Sequence, residues 1–381
     1  MFNEEHLALQ RAVREMVEKE IRPVAAAVDD EDAIPERVFR VMGEMGLVQI
    51  GLPEAYGGPG GDFTAVCLVR EEISRVSQAC ALISGRNWFS IIQVLMNFGT
   101  EDQRRRFFPE VATGRALTAG AITETEAGSD PASMRTRAVL QGSHYVLNGQ
   151  KAWVSWGPIA KYITVFAKTG DVERRGVDNI SCFIVERDTP GLSFGKQERK
   201  LGLHGVPSAA MFLDNVRVPV ENRVGDEGKG FLAAMRILDL NRPTVGAMGV
   251  GLAQGAIDVA LGYAKQRRQF NRPISDFQAV QFMLADMQML TDAARLMVYD
   301  CARQIDEGRL EGIAARAAMA KCYPTDVAMR VTADAVQILG AAGCSKDYPV
   351  ERMFRDAKIN QIWEGTNQIQ RLVIAREMLR D

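Results

Sequence analysis

Near residue 118 the chain changes its period, and near residue 224 it changes back. On either side apolar residues recur every three or four positions. Inside the block they gather in short runs rich in β-branched and aromatic residues, "HYVLNGQKAWVSWG", "YITVFAKTG", "NISCFIVERD" and "AAMFLDNVRVP", each bounded by turn residues. The two periods bury different faces, so the pattern predicts an α+β chain, mainly α, with a small antiparallel β-domain between two helical ones. The boundaries fall at 1–118, 119–225 and 226–381. Asn148-Gly149, between two β-type runs, reads as a hairpin turn.

The first part opens with "EEHLALQRAVREMVEKEIRPVAAAV", where Leu7, Leu9, Val13, Met16 and Val17 form an apolar side, and "LPEAYGGPGGDF" interrupts it as a loop. In the last part "FQAVQFMLADMQMLTDAARLMVYDCARQIDEG" keeps its apolar spacing with few breakers, which suits a bundle helix, and its Met and Ala residues read as core filler. At 381 residues and 47% hydrophobic, the chain has enough apolar material for a large core.

Composition excludes several classes of function. With 46 Lys and Arg against 48 Asp and Glu there is no global field to hold nucleic acid or an anionic membrane. Six dispersed cysteines without a CxxC pair, and three distant histidines, offer no zinc or disulfide framework. The acidic start "MFNEEHLALQ" is not an export signal, and the low-charge stretch 76–100 is too broken for a membrane span. These features predict a cytoplasmic protein with no metal.

Motifs narrow the chemistry. "GVGLAQG" looks like a dinucleotide turn but lies in a helical stretch, where glycines for close helix packing explain it better. No P-loop or GxSxG elbow occurs. "AITETEAGSD", at the junction of helical and β parts, offers hydroxyls and a glycine to a ligand, or is an ordinary polar turn. In "KAWVSWG" a strand would turn Trp153 and Ser155 to one face and Trp156 to the other, which suits a planar cofactor or a core. "KQRRQFNRPISDFQ" sets arginines around Phe270, either a solvated face or a phosphate grip.

Taken in order, "AITETEAGSD", "KAWVSWG", "RRQFNRPISDFQAVQFMLADM", "QILGAAG" and "YPVERMFRDAKINQIWEGTNQIQR" resemble the acyl-CoA dehydrogenase family over essentially the whole length. The resemblance implies a helical N-terminal domain, a middle β-domain and a C-terminal four-helix bundle. It also implies FAD as cofactor, an acyl-CoA substrate, electron-transfer flavoprotein as electron partner and a homotetramer. By motif matching, the flavin ring meets Ile122, Thr123, Trp153 and Ser155, with Ser129 nearby. Arg267, Gln269, Phe270, Phe277, Gln278, Gln337, Gly340 and Ala341 reach the cofactor's diphosphate and adenosine from a neighbouring subunit. Thr366 and Gln368 offer a helix N-terminus to phosphate. Ser129, Asp239, Arg242 and Gly365 hold the CoA thioester.

The resemblance also gives Glu364 its task. Removing an α-proton needs a base stronger than a solvated carboxylate, and burial beside Ile362 and Trp363 would supply one. Some family branches carry the base where Asn241 stands; Asn accepts no proton, which leaves Glu364. Arg86, the only charge between residues 76 and 100, matches the distal acyl pocket and suggests an acyl group with a carboxylate or other polar end. Trp156, His204, Asn271, Ala341, Ala342 and Trp363 depart from commoner family residues, which argues against the well-known chain-length subfamilies. An acyl group on a carrier protein, or a non-catalytic flavoprotein scaffold, are the alternative functions.

Overall fold

The computed structural model describes residues 2–170 and 176–380. Seven helices lead: α1 (Glu4–Met16), α2 (Ala25–Glu31), α3 (Glu36–Glu44), α4 (Phe63–Ser74), α5 (Gln78–Ala81), α6 (Gln93–Phe98) and α7 (Glu101–Ala112). Asn3 starts α1 in a capping box with His6. Leu7 does not belong to its buried side: Leu7 is exposed and His6 is turned in, where its ring meets the Asp62 carboxylate. Hydrogen bonding at that helix end outweighs the apolar periodicity.

Helix α4 is buried along its whole length, including Arg70, Glu71 and Glu72. Each has partners. Glu72 takes Arg14 and Gln10, Glu71 takes Arg295 and Tyr299, and Arg70 donates to the Ser84 and Gly85 carbonyls and to Thr244.

The middle region is one sheet of β1 (Thr118–Ala121), β2 (Arg137–Gln141), β3 (His144–Ser155), β4 (Tyr162–Lys168), β5 (Ile180–Glu186), β6 (Leu192–Gln197), β7 (Ser208–Pro219) and β8 (Arg223–Val224). The order is β6-β7-β3-β2-β4-β5-β8, with antiparallel ladders except where β1 and the start of β2 run parallel to β4. The expected turn at Asn148-Gly149 is not there. The β2–β3 hairpin turns at residues 142–143, and Asn148-Gly149 is a bulge inside β3. A Cβ at Gly149 would sit 2.6 Å from the Thr136 hydroxyl, so close backbone approach, not a turn, requires the glycine.

The C-terminal region holds α8 (Gly230–Gln266), a short hairpin of β9 (Arg268–Gln269) and β10 (Arg272–Pro273), then α9 (Gln278–Asp306), α10 (Ile313–Leu339), α11 (Val350–Asn360) and α12 (Asn367–Met378). Helices α8, α9 and α10 pack on one another, and α11 and α12 close over α10. In "GVGLAQG", side chains at Gly251 and Gly255 would overlap the Glu71 and Arg75 carbonyls of α4 and the residue that follows it, so these glycines let two helix backbones touch. Helix α8 is long and apolar enough to cross a bilayer, yet 72% of its most apolar window is buried in protein: it is a core helix.

Candidate active site

Between α11 and α12 the chain turns through two successive left-handed residues, Glu364 (φ 55°) and Gly365 (φ 86°), before Thr366 caps α12 by accepting from the Ile369 N–H. A non-glycine residue in this region is disfavoured and persists where its surroundings over-determine it. Here they do. The Gly365 carbonyl accepts from Lys321 Nζ at 2.9 Å and from Gln370 Nε2 at 2.8 Å, and Gln370 Nε2 also reaches the Glu364 carbonyl at 3.1 Å. Lys321 donates again to Asn367 Oδ1 at 2.8 Å, and Asn367 Nδ2 binds Asp326 and Thr325 of α10.

The turn points the Glu364 carboxylate inward, where Oε2 is buried and has no hydrogen-bond partner among the described residues. Burial raises its pKa above the ordinary carboxylate value; the Arg86 guanidinium, a hydrogen bond from Asn241, Arg70 and Arg242 pull the other way. The net direction is upward, which makes this carboxylate a stronger proton acceptor than a solvated one. Ile362, expected to help enclose it, is 48% exposed and does not, whereas Trp363 packs against the core.

Arg86 stands across from this carboxylate. Its Nε donates to the Thr118 carbonyl at 3.0 Å and its Nη2 to the Ser155 carbonyl at 3.4 Å. Arg242 is ion-paired with Asp239 three residues earlier on α8, and its Nε lies 3.5 Å from the Glu364 carbonyl. Asp239 and Arg242 are thus brought to Glu364. Ser129 is exposed, and no hydrogen bond or ion pair among the described residues joins it to Glu364.

The motifs around residues 121–130 and 151–156 are tied together by a buried ion pair. Lys151 Nζ meets Glu124 Oε1 at 2.8 Å and donates to the Ile122 carbonyl at 3.2 Å, while the Ala152 N–H donates to the Thr123 carbonyl at 2.9 Å. Burial lowers Lys151 to about 8, and Glu124 opposes that. Next along β3, Trp153 has φ 58° and is 59% exposed, while Trp156 is fully buried edge-on to Phe39. An indole held out of a strand by a left-handed residue, beside Ile122 and Thr123, fits a planar cofactor. A small, mostly apolar cleft has Ile122 in its wall, with Phe89, Ser90, Phe166, Ile237 and Leu238 among its other lining residues.

The second set of expected cofactor residues lies on the surface. Arg267, Gln269, Phe270 and Gln278 are exposed around the β9–β10 hairpin, with Phe277 half-buried there, as are Gln337, Gly340 and Ala341 at the end of α10. Among the described residues no hydrogen bond, ion pair or ring contact joins them to Ile122, Thr123, Trp153, Ser155 or Glu364. Thr366 and Gln368 stand at the start of α12, just after Glu364. Sequence reasoning missed Arg70 and Lys321. Each had a signal, a cation inside an otherwise apolar helical run: "FTAVCLVR" and "AAMAKC".

Family models for the N-terminal, middle and C-terminal domains of acyl-CoA dehydrogenase match residues 3–115, 119–216 and 228–379. A protein of Mycobacterium tuberculosis described as probable acyl-CoA dehydrogenase FadE25 is 46% identical over 99% of this chain and 96% of its own length. Butyryl-CoA dehydrogenase from Megasphaera elsdenii superposes with a TM-score of 0.96 at 36% identity, covering 100% of this chain and 99% of that one. A chain in the structure described as electron transferring flavoprotein of Acidaminococcus fermentans gives 0.97 at 41% identity, covering 100% and 99%. The chain belongs to the acyl-CoA dehydrogenase family, FAD-dependent oxidoreductases acting on CH–CH bonds.

Proposed function

We propose that this enzyme converts an acyl-CoA thioester to the trans-2-enoyl-CoA, with Glu364 taking the α-proton. The observation that carries this reading is the buried, unpartnered Oε2 of Glu364 on a turn clamped from α10. Burial makes the carboxylate a stronger base than a solvated one, and Arg86 and Asn241 oppose that rise. Asp239, Arg242, Gly365 and Ser129 position the thioester. Bound FAD supplies the acceptor for the β-hydride, held by Ile122, Thr123, Trp153 and Ser155 of one protomer.

Arg267, Gln269, Phe270, Phe277, Gln278, Gln337, Gly340 and Ala341 complete the cofactor site of a neighbouring protomer in a homotetramer, and Thr366 and Gln368 present the α12 N-terminus to phosphate. Their exposure and their separation from the base within one chain support that division. Electrons leave to electron-transfer flavoprotein, a partner suggested by the Acidaminococcus fermentans neighbour.

An anaerobic titration with a panel of acyl-CoAs, following flavin bleaching, tests the reading. Bleaching by an acyl-CoA, lost in Glu364→Gln, is the expected result. A dithionite-reducible flavin that no CoA ester bleaches would overturn it and favour a carrier-protein substrate.

A further inference from the structure

Strand β3 breaks step with β7 where its indole turns out. Lys151 pairs with Met211 and Val154 with Ala209, so Ala152 and Trp153 face the single residue between those partners, a bulge in which Trp153 takes φ 58°. A bulky residue persists in this conformation only where its surroundings over-determine it. The support comes from residues 122–124. The Ala152 N–H donates to the Thr123 carbonyl at 2.9 Å, and Lys151 Nζ donates to the Ile122 carbonyl at 3.2 Å and to Glu124 Oε1 at 2.8 Å. Glu124 is fixed in its turn: its carboxylate accepts the Arg135 N–H at 2.6 Å and the Thr136 N–H at 3.0 Å, and its backbone bridges to Ala127. Three stretches of chain meet on one ion pair.

What the pair holds differs from what it leaves free. The Ile122 and Thr123 carbonyls are both taken by β3, whereas the hydroxyls of Thr123 and Ser155 have no hydrogen-bond partner among the described residues, and the Trp153 ring is exposed. Lys151 itself is fully buried. A buried ion pair adds little stability over uncharged side chains of similar volume, because desolvation offsets the attraction. An uncharged, apolar side chain, however, cannot hold a carbonyl at a fixed point. The pair is therefore better explained by the geometry it fixes than by the stability it adds.

We propose that Lys151 and Glu124 are positioning residues for the flavin: by fixing the Ile122 carbonyl to the strand that carries Trp153, they set the spacing between the two strips of chain that receive the ring. This rests on the reading of Ile122, Thr123, Trp153 and Ser155 as flavin contacts. In this role Lys151 and Glu124 act through those contacts.

The test compares Lys151→Met, Lys151→Met combined with Glu124→Gln, and Trp153→Ala with wild type. The readouts are the FAD dissociation constant, the flavin absorption spectrum at saturating FAD and the melting temperature of flavin-free protein. Lys151→Met is expected to raise the FAD dissociation constant about 10- to 100-fold, the range for one lost charge-assisted hydrogen bond, and to shift the flavin bands. It should also lower the melting temperature, because Glu124 is left buried without its cation. The double variant separates the two effects: with both charges gone, the melting temperature should return close to that of wild type while FAD binding stays weak. If stability and FAD binding recover together, the pair serves only the fold and the proposal fails. Wild-type FAD binding and spectrum in Lys151→Met, with weakened binding in Trp153→Ala, would also overturn it and leave the flavin contacts standing. If Trp153→Ala binds FAD as wild type does, the reading of the contacts fails, and the proposal with it.

Discussion

Two turns among the described residues each place a non-glycine residue and the residue after it in the left-handed region, and they are held in opposite ways. At Glu364-Gly365 the backbone is gripped by Lys321 and Gln370, and the following Asn367 is anchored on α10. At Phe270-Asn271 (φ 49° and 66°), between β9 and β10, the support is sparse: Arg268 Nη2 donates to the Asn271 carbonyl at 2.9 Å, and the Phe270 ring, 89% exposed, meets Phe277 edge-on at 5.9 Å. A two-residue hairpin of this kind is a regular type I′ turn and needs little help. The role proposed for Glu364 makes a different demand, because a catalytic side chain must stay aimed at a point in space. The first turn is held by partners within the chain; the second leaves its aromatic ring exposed.

The largest expected effect separates aim from chemistry. Glu364→Gln keeps the size and the turn but cannot accept a proton, so the rate of flavin reduction should fall by about 10²- to 10⁴-fold. Circular dichroism and thermal unfolding should show the fold intact. Reduction near the wild-type rate would mean that another group is the base.

Lys321→Met tests the clamp. It strips one donor from the Gly365 carbonyl and one from Asn367 Oδ1. Leaving buried acceptors short costs about 1–3 kcal/mol in unfolding free energy. More tellingly, kcat should fall further than KM rises, because the thioester contacts remain while the base loses its aim. A loss confined to stability, with kcat unchanged, would show that Gln370 alone holds the turn.

The pH dependence follows from Glu364. Its pKa is raised by burial, and the proposed reaction needs the carboxylate, so the rate should fall as pH drops through a value above that of an ordinary Glu. Arg86 is the largest of the charges opposing the rise, so Arg86→Met should move this acid limb to higher pH. For stability the sign is reversed. A carboxyl whose folded pKa exceeds its unfolded one stabilises the fold at low pH, and that contribution is lost as pH rises through the folded pKa. Glu364→Gln should therefore flatten the pH dependence of the melting temperature over that window. An unmoved acid limb in Arg86→Met would break the electrostatic link between the two residues.

How far each turn was legible in the sequence follows the same division. Glu364 stood out because a charge beside Trp363 is costly without a use, and the β block announced itself by its period. Lys321 and Arg70 did not. Their partners are the Gly365, Ser84 and Gly85 carbonyls, and a carbonyl carries no residue identity for a sequence pattern to reveal. Asn148-Gly149 misled because the same dipeptide serves a hairpin turn and a bulge, and the packing of Thr136 decides between them. Ile362 misled because chain proximity to Glu364 is not spatial enclosure.

The smallest expected effect is on the fold of the free hairpin. Phe270→Ala removes a ring that buries little within its own protomer, so the unfolding free energy of flavin-free protein should change by no more than about 0.5 kcal/mol. If the ring instead covers the cofactor of a neighbouring protomer, the purified variant should retain less FAD, and its flavin should dissociate faster on dilution. The Arg272 guanidinium, 4.2 Å from the Phe277 ring centroid, stays on the hairpin in this variant, so the basic character of the patch is preserved and the loss reports the ring alone. A destabilised flavin-free protomer with normal FAD retention would reverse the comparison: the hairpin would then be packed at home, and the exposed ring would belong to this chain's own fold.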